Sequence, residues 1–363
     1  MRSRHVKVGW FVLVTMAAAA GCNVTWPMLG PDALSRPLAA VGDQGVAYAM
    51  GQPRPPLSPA QLATVAPRDL AMYYAPIYVQ GYGPTHEHKD SPYHWSHDDD
   101  SIGRATLERK SNGKLVTRID VAQPTVYVIE DQRRLGDHEH LQLTYVVWYP
   151  RRPRTKKIDI EAADIDSGVV RITLDRNHQP IMYETVLACG CYHKVFVEAR
   201  VEAAARAAFG QPESGKKFVV EKSTPHKIDW EVAGVVDTPP DHPGPPVVFV
   251  SGGEHRVVGL LPSAGFQWPR EAGAVRPYRL AAYDELTAAP IADSGETAAI
   301  FNHANDEQVW GADRLERFIF MWIGTDDAGH PRRDDQILLH FDQSRWKDPE
   351  NYHRYLRLPP GVL

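Results

Sequence analysis

The order of apolar and polar positions along the chain predicts a protein built mainly of β-strands. Several segments alternate apolar with polar residues, or run apolar throughout, and are bounded by turn residues, which is typical of strands. Most connections between them are short, and short connections favour antiparallel pairing. The segments with this pattern are Leu115–Val121, Thr125–Glu130, His140–Tyr149, Val169–Leu174, Pro180–Leu187, Val247–Val250 and Phe318–Ile323.

Two other segments have the features of helices. Ser58 and Pro59 suit the N-cap and first position of a helix near residues 60 to 73, which Pro67 could divide into two. The alanine-rich residues 198 to 209 favour a second helix. Thirty prolines and 27 glycines indicate many turns and long connections. We therefore predict an α+β fold that is predominantly antiparallel β-sheet, with a few short helices and long loops.

Composition limits the size of the fold and the classes of ligand. The chain has 363 residues, of which 43% are hydrophobic, enough for one large domain or two. Its net charge of −5 is modest, and no basic patch is interleaved with aromatic residues, which argues against nucleic acid as a partner. Residues 210–217 nearly match a phosphate-binding loop, but they follow a predicted helix and lack the final Ser or Thr. Nucleotide binding is therefore not expected.

The first residues have the features of an export signal. Arg2, Arg4 and Lys7 precede the apolar run Val8–Ala20, and small residues then lead to Cys22. An apolar run of this length is too short to cross a bilayer comfortably, because a spanning helix needs about 20 residues. We therefore expect the signal to direct export of the chain and not to remain as a membrane-spanning helix.

The Ala-Ala-Gly-Cys sequence that ends at Cys22 resembles the lipobox of bacterial lipoproteins. The resemblance implies cleavage before Cys22, acylation of its thiol with palmitate and attachment to a membrane of the cell envelope, either the outer membrane or a periplasm-facing surface. Ala19 stands where that family usually has Leu, so cleavage to an unanchored exported protein is the alternative. The resemblance covers only this N-terminal segment.

The distribution of proline and glycine divides the rest of the chain. Residues 1–21 are the predicted signal peptide, and the Pro- and Gly-rich residues 22–59 form a predicted lipidated tether. Residues 60–237 form a predicted β-rich domain. The proline-rich stretch 238–246 then begins residues 238–363, which are either a second β-rich lobe or a continuation of the same domain.

The strongest candidate for chemistry is the stretch Cys189–His193, at the end of a predicted strand. Side chains alternate faces along a strand, so Cys189, Cys191 and His193 are expected to project on the same side. Two thiols and an imidazole are ligands of zinc and copper sites. We therefore predict a metal site at these three residues.

Histidines elsewhere could complete a tetrahedral site. His86 and His88 lie in a loop rich in histidine and aspartate, and His138 and His140 have strand spacing. Each pair also has a simpler interpretation, as side chains of a solvated loop or of an exposed strand edge. One histidine from either segment is the expected fourth ligand.

A disulfide between Cys189 and Cys191 is the main alternative, since exported proteins meet an oxidising environment. Residues two apart on a strand have Cα atoms about 6.6 Å apart, close to the upper end of the disulfide range of roughly 4.4–6.8 Å. Gly190 could let the backbone bulge and shorten that separation. Such a bond closes a very small loop and is expected to be strained, easily reduced and redox-active. A buried pair of thiols with no chemical role is the third interpretation.

Three classes of function follow from these residues. The first is an envelope-anchored lipoprotein that binds or handles zinc or copper. The second is a metal-dependent hydrolase that acts through an activated water molecule. The third is an envelope interaction protein with a Cys189–Cys191 disulfide and no catalytic role. The sequence indicates neither a substrate nor a protein partner, and it leaves open whether the protein is an enzyme.

Overall fold

The computed structural model describes residues 45–51, 55–83, 95–154, 157–223, 231–264, 266, 275–316, 329–339 and 344–362. The predicted signal peptide, Cys22, His86, His88 and the predicted strand Phe318–Ile323 lie outside the described residues. Among the described helices, none is long and apolar enough to cross a membrane.

The protein is mostly β, with a large sheet and a few short helices, and this confirms the predicted balance of elements. The longer strands are β1 Gly45–Met50, β2 Ile77–Gly81, β3 Arg104–Arg109, β4 Leu115–Asp120, β5 Thr125–Leu135, β6 His138–Tyr149, β7 Asp166–Leu174, β8 Pro180–Leu187, β9 Lys194–Glu198, β10 Glu231–Val236, β11 Pro246–Val250, β12 Val257–Pro262 and β13 Val275–Ala282.

Short strands and helices make up the remaining regular structure. The two-residue strands are β14 Ala289–Pro290, β15 Thr297–Ala298, β16 Phe301–Asn302, β17 Gln308–Val309, β18 Leu338–Leu339 and β19 Ser344–Arg345. The α-helices are α1 Pro59–Leu62, α2 Pro67–Tyr73, α3 Ala199–Phe209 and α4 Glu350–Tyr355. The 3₁₀-helices are His97–Asp100, Tyr283–Ala288, His303–Asn305 and Asp334–Gln336.

Eleven strands form one sheet, in the order β10-β9-β8-β7-β6-β5-β13-β1-β2-β11-β12. The consecutive strands β5 to β9 pair antiparallel, as expected for strands joined by short connections, although the connection from β6 to β7 is long. Parallel pairs join β10 to β9, β13 to β5, β1 to β13 and β11 to β2. These pairs arise because segments distant in sequence return through long connections, which the local pattern of residues does not determine.

The sheet curls, so that Cα atoms of its edge strands β10 and β12 come within 8 Å of each other. Alternation along β6 places Tyr145, Val147 and Tyr149 on the concave face, in a core that most strands of the sheet share. Val146 and Trp148 point to the convex face, where they join a second core. That core is covered by the β3–β4 hairpin and by parts of residues 283–346.

A third core lies on the convex face further along the sheet. There α3 packs through Val201 and Ala205 against Val195 and Val197 of β9, and Tyr352 of α4 joins the same group. Alanine-rich α3 is helical as predicted, and its C-cap Gly210 has a φ of 79°. Helices α3 and α4 therefore cover part of the convex face, whereas Leu62 of α1 and Leu70 of α2 belong to the concave-face core.

The structure adds two facts about the organisation of the chain. Residues 45–50, which the sequence places in the tether, form β1 between β2 and β13. Strands β11, β12 and β13, from residues 246–282, belong to the same sheet as the strands that precede residue 237. The sheet therefore connects both sides of the proline-rich stretch.

The loops that contain the candidate functional residues lie close together at one end of the sheet. The cross-strand pairs Tyr149↔Asp166 and Gly168↔Leu187 bring the end of β6, the start of β7 and the end of β8 together. The loop that follows β11 begins at Ser251, near Gln80, whose side chain donates to the Ser251 carbonyl at 3.2 Å. Loops from widely separated parts of the sequence thus meet at this end.

Candidate functional site

The Cys189–His193 stretch forms a tight turn between β8 and β9 and does not continue the strand. The Leu187 N–H donates to the Cys191 carbonyl at 3.0 Å, and the Gly190 N–H donates to the Leu187 carbonyl at 2.7 Å. Gly190 has a φ of 91°, and a Cβ atom there would lie 1.7 Å from the carbonyl oxygen of Leu338. The strand alternation expected from the sequence therefore ends at Leu187, because this turn needs a left-handed glycine in close contact with backbone.

The turn brings the two thiols together in a buried place. Cys189 is 4% exposed and Cys191 is 8% exposed, and neither is in a disulfide. A hydrogen bond from the Cys191 thiol, outweighing the effect of burial and helped by the charge of Arg314, lowers the pKa of Cys189 to about 6. The Cys191 Sγ also lies 3.8 Å from Oε1 of Glu316, so this carboxylate is the alternative acceptor for the one S–H proton of Cys191. We call Cys189, Cys191, Arg314 and Glu316 the thiol site.

Arg314 supplies the positive charge of the thiol site. Its Nη2 lies 2.5 Å from Oδ1 of Asp166, and both side chains are almost completely buried. Burial alone would lower the pKa of Arg314, but the charges of Cys189 and Asp166 raise it, so the guanidinium stays charged. Within the described part of the chain, Nε and Nη1 of Arg314 have no hydrogen-bond partner. As far as the described residues show, two buried donors therefore remain available on the arginine whose charge lowers the pKa of Cys189.

A histidine between two carboxylates holds Asp166 in place. Nδ1 of His255 lies 2.8 Å from Oδ2 of Asp166, and its Nε2 lies 3.2 Å from Oδ1 of Asp100. The His255 ring stacks on Tyr149, with ring centroids 3.8 Å apart. Burial alone would lower the pKa of His255, but its contacts with Asp100 and Asp166 raise it. We call Asp100, His255 and Asp166 the carboxylate–histidine bridge.

Asp100 ties three loops to this bridge. Its carboxylate accepts hydrogen bonds from the Gly83 N–H at 2.8 Å and from the Trp95 indole N–H at 3.2 Å. It also accepts one from the Gly253 N–H. These hydrogen bonds hold the Asp100 carboxylate opposite His255.

Further ion pairs surround the turn. Arg256 stacks on the ring of Tyr192, 3.9 Å from its centroid, and donates to the Tyr192 hydroxyl. Arg152 pairs with Glu161, and the Tyr192 hydroxyl donates to the same carboxylate at 3.3 Å. These contacts fix Tyr192, whose φ is 58°, and thereby hold the conformation of the turn.

His193 belongs to a different cluster. Its Nε2 lies 3.0 Å from Oε1 of Glu184, and its ring meets Trp346 edge to face. Glu184 also pairs with Arg171 at 2.8 Å and accepts from the Tyr352 hydroxyl at 2.6 Å. Burial alone would raise the pKa of Glu184, but the charge of Arg171 and the hydrogen bonds lower it to about 2. This cluster lies on the convex face, whereas Asp166 pairs with Tyr149 on the concave face.

Of the remaining predicted ligands, His138 and His140 are not near the thiols, and His86 and His88 lie outside the described residues. His138 and His140 begin β6, at the end of the sheet opposite to Tyr149. Eight residues of strand separate His140 from Trp148, or about 26 Å at roughly 3.3 Å per residue. Nδ1 of His140 lies 2.9 Å from the Leu174 carbonyl. Among the described residues, no three His, Cys, Asp or Glu side chains are arranged to hold a metal ion.

Local sequence patterns do not indicate the partners that complete the site. Asp166, His255 and Arg314 come from three distant segments, and none belongs to a recognisable motif. Asp100 stood in a segment already noted for its carboxylates, but nothing local distinguished it from Asp98 and Asp99. Only the curvature of the sheet brings these residues together.

Comparison of the chain with protein-family models, with characterised proteins and with solved structures gave no significant match. The function is therefore argued from the chemistry of the site.

Proposed function

We propose that the protein is a thiol–disulfide redox protein whose reactive unit is the Cys189–Cys191 pair. The observation that carries this proposal is that Cys189 and Cys191 pack in one buried cluster and neither is in a disulfide. The Cys191 thiol also lowers the pKa of Cys189 and so favours its thiolate. The thiolate, and not the thiol, is the nucleophile in disulfide chemistry. Cys189 is the attacking residue in this scheme, and Cys191 is its partner in the disulfide.

The residues around the two thiols stabilise the thiolate and accept a proton that disulfide formation releases. Conversion of two thiols to a disulfide releases two electrons and two protons. The charge of Arg314 favours the Cys189 thiolate, so the first proton is already lost near neutral pH. Glu316, 3.8 Å from the Cys191 sulfur, is placed to accept the second.

The turn permits this chemistry with little movement. The conformation of Gly190 and the hydrogen bonds of Leu187 hold the turn in which Cys189 and Cys191 pack in one cluster. A disulfide between residues so close in sequence is expected to be strained, and strained disulfides are the easily reduced ones. Such a pair suits a reversible reaction better than a structural cross-link.

We also propose that this chemistry takes place outside the cytoplasm, on a protein anchored through Cys22. The export signal and the lipobox-like sequence support this location. Compartments outside the cytoplasm sustain disulfide chemistry.

Binding of zinc or copper is the second candidate, because a thiolate pair beside a carboxylate offers ligands to a soft or borderline metal. The contact between Cys191 and Glu316, which the redox proposal also uses, favours metal binding. The engagement of His193 with Glu184 favours the redox proposal, since it commits the third expected ligand to another cluster.

The test compares redox state with metal content on the purified full-length protein. Tryptic peptide 177–194 contains Cys189 and Cys191 and no other cysteine. After equilibration in glutathione buffers of graded potential, acid quenching and alkylation, this peptide should shift as a unit between the dialkylated and the disulfide form. Elemental analysis should find no stoichiometric metal. Thiols that stay free at every potential, or one equivalent of zinc or copper lost in Cys189→Ser, would contradict the redox proposal.

A further inference from the structure

We infer that the oxidising substrate of the thiol site is a small hydroperoxide, and that Arg314 donates hydrogen bonds to the oxygen that leaves when Cys189 attacks. This inference rests on the dithiol function proposed above and adds the class of substrate. It depends on three features of the site, which are its burial, the unused donors of Arg314 and the position of Cys191.

Burial limits the size of the oxidant. Exchange with a disulfide requires the attacking sulfur to approach in line with the S–S bond, and a protein disulfide carries bulky chain on both sides. Cys189 is 4% exposed, and Tyr192 beside it is clamped by Arg256. A molecule close to the size of water needs far less room at such a sulfur than a protein surface does. Hydrogen peroxide is a two-electron oxidant of thiolates that is close to that size.

Arg314 has the donors that this reaction needs. Its Nη2 is committed to Asp166, but within the described residues its buried Nε and Nη1 have no hydrogen-bond partner. Buried donors without partners are costly, so their presence beside a reactive sulfur calls for an acceptor. A guanidinium presents its N–H groups as a rigid fork, which suits an oxygen on which negative charge develops.

Oxidation of Cys189 by the hydroperoxide and formation of the disulfide are two successive steps. The Cys189 thiolate attacks the terminal oxygen of the hydroperoxide, an S–O bond forms and the O–O bond breaks. The sulfur is oxidised by two electrons to a sulfenic acid, and the leaving alkoxide or hydroxide takes a proton from solvent to give an alcohol or water. Cys191 then gives its proton to Glu316 and attacks the Cys189 sulfur. The S–S bond forms, the S–O bond breaks, and the departing hydroxide recovers that proton as water.

The inference is tested with three oxidants on the reduced full-length protein, followed through peptide 177–194. Hydrogen peroxide should form the disulfide fastest, tert-butyl hydroperoxide more slowly because it is larger, and oxidised glutathione slowest. In Cys191→Ser, dimedone should trap a sulfenic acid at Cys189. If oxidised glutathione reacts faster than both peroxides, the hydroperoxide inference fails while the dithiol function stands. If no oxidant forms the disulfide, the dithiol function itself fails.

Arg314→Lys tests the role of the guanidinium. It keeps a positive charge near Asp166 but removes the fork of donors, and loss of one such donor slows comparable reactions by about 10²–10³-fold. The peroxide rate should fall by that order, while alkylation by iodoacetamide at a pH where Cys189 is fully ionised should barely change. Arg171→Lys, at a buried arginine paired with Glu184 in the convex-face cluster, is the matched control. If Arg314→Lys slows the peroxide reaction and the alkylation equally, the role assigned to Arg314 is overturned. Equal slowing would show that the change affects only the reactivity of Cys189.

Discussion

Nδ1 of His255 lies 2.8 Å from Oδ2 of Asp166, across 89 residues of sequence, and this contact joins the loop after β11 to the start of β7. The other oxygen of Asp166 holds Arg314 at 2.5 Å. One carboxylate thus positions both the histidine of the bridge and the arginine of the thiol site. The burial of all three side chains makes this arrangement sensitive to the loss of any one charge.

Replacing Asp166 with Asn should destabilise the protein strongly. The change keeps the shape of the side chain but leaves Arg314 and His255 without their shared counter-ion. Loss of one partner from a buried ion pair costs about 3–5 kcal/mol, and urea denaturation followed by circular dichroism measures it. Asp164→Asn, at an exposed position two residues earlier, should cost almost nothing. Similar costs for the two variants would show that Asp166 is not the organising charge.

Replacing Gly190 with Ala should disrupt the turn that holds the thiols. Both the left-handed φ of 91° and the backbone of Leu338, 1.7 Å from the position of the new Cβ, oppose a side chain here. Gly113 is the matched control, since it has a φ of 82° and open space around it. Gly113→Ala should cost about 1–2 kcal/mol for conformation alone. Gly190→Ala should cost clearly more in urea denaturation, and equal costs would contradict the close contact with Leu338.

The local pattern of residues predicted the elements of the sheet better than it predicted their arrangement. The strand Pro180–Leu187 was predicted with its observed bounds, and α3 within one residue, because alternation and alanine content are local signals. The parallel partners of β1 and β13 were not predicted, since pairing between distant segments leaves no trace in a short window of sequence. The curvature that closes the sheet is a property of the whole fold.

The site shows the same division between local and distant information. The sequence identified Cys189 and Cys191, because two of only three cysteines stand two residues apart. It misplaced His193, because the expected alternation assumed a regular strand where Gly190 forms a turn. Arg314 could not have been found, since its role depends on a contact with Asp166 across 148 residues.

Replacing Glu184 with Gln should destabilise the convex-face cluster in a pH-dependent way. Glu184 has a pKa of about 2 in the folded protein, below the usual value near 4.3 in an unfolded chain. Its ionised form therefore contributes stability that is complete above about pH 4.3 and is lost as pH falls through about 2. The free-energy difference between wild type and Glu184→Gln should be about 3–5 kcal/mol at neutral pH. It should shrink on acidification, whereas a difference independent of pH would contradict the ion pair with Arg171.

Replacing Cys22 with Ser should release the protein from the membrane fraction. The lipobox-like sequence implies that the Cys22 thiol carries the lipid, and a hydroxyl at that position cannot be processed in the same way. Labelling cells with palmitate and separating membranes from soluble material measures both effects. Cys189→Ser, at a buried cysteine, should still be labelled and anchored. A Cys22→Ser protein that still carries palmitate would show that the signal was misinterpreted.

Cys189 should react as a thiolate well below the pH at which ordinary cysteines do. Its alkylation by iodoacetamide, followed on peptide 177–194 with fragment masses that separate it from Cys191, should show a midpoint near pH 6. The Cys191 thiol is the largest cause of the low pKa, so Cys191→Ala should move this midpoint up towards the value of about 8.5 for a free cysteine. Cys191→Ser, whose hydroxyl can still donate a hydrogen bond, should move it less.

The same shift makes stability depend on pH, with a sign that can be checked independently. A pKa lowered on folding means that the unfolded chain binds the proton more tightly. The contribution of Cys189 to the free energy of unfolding is therefore complete above about pH 8.5 and is lost as pH falls through about 6. In urea denaturation under reducing conditions, the free energy of unfolding of the wild type relative to Cys189→Ser should rise as pH increases from about 6 to about 8.5. A fall in this free-energy difference as pH increases would mean that the folded protein holds Cys189 as the neutral thiol. Cys189 would then not be the proposed nucleophile.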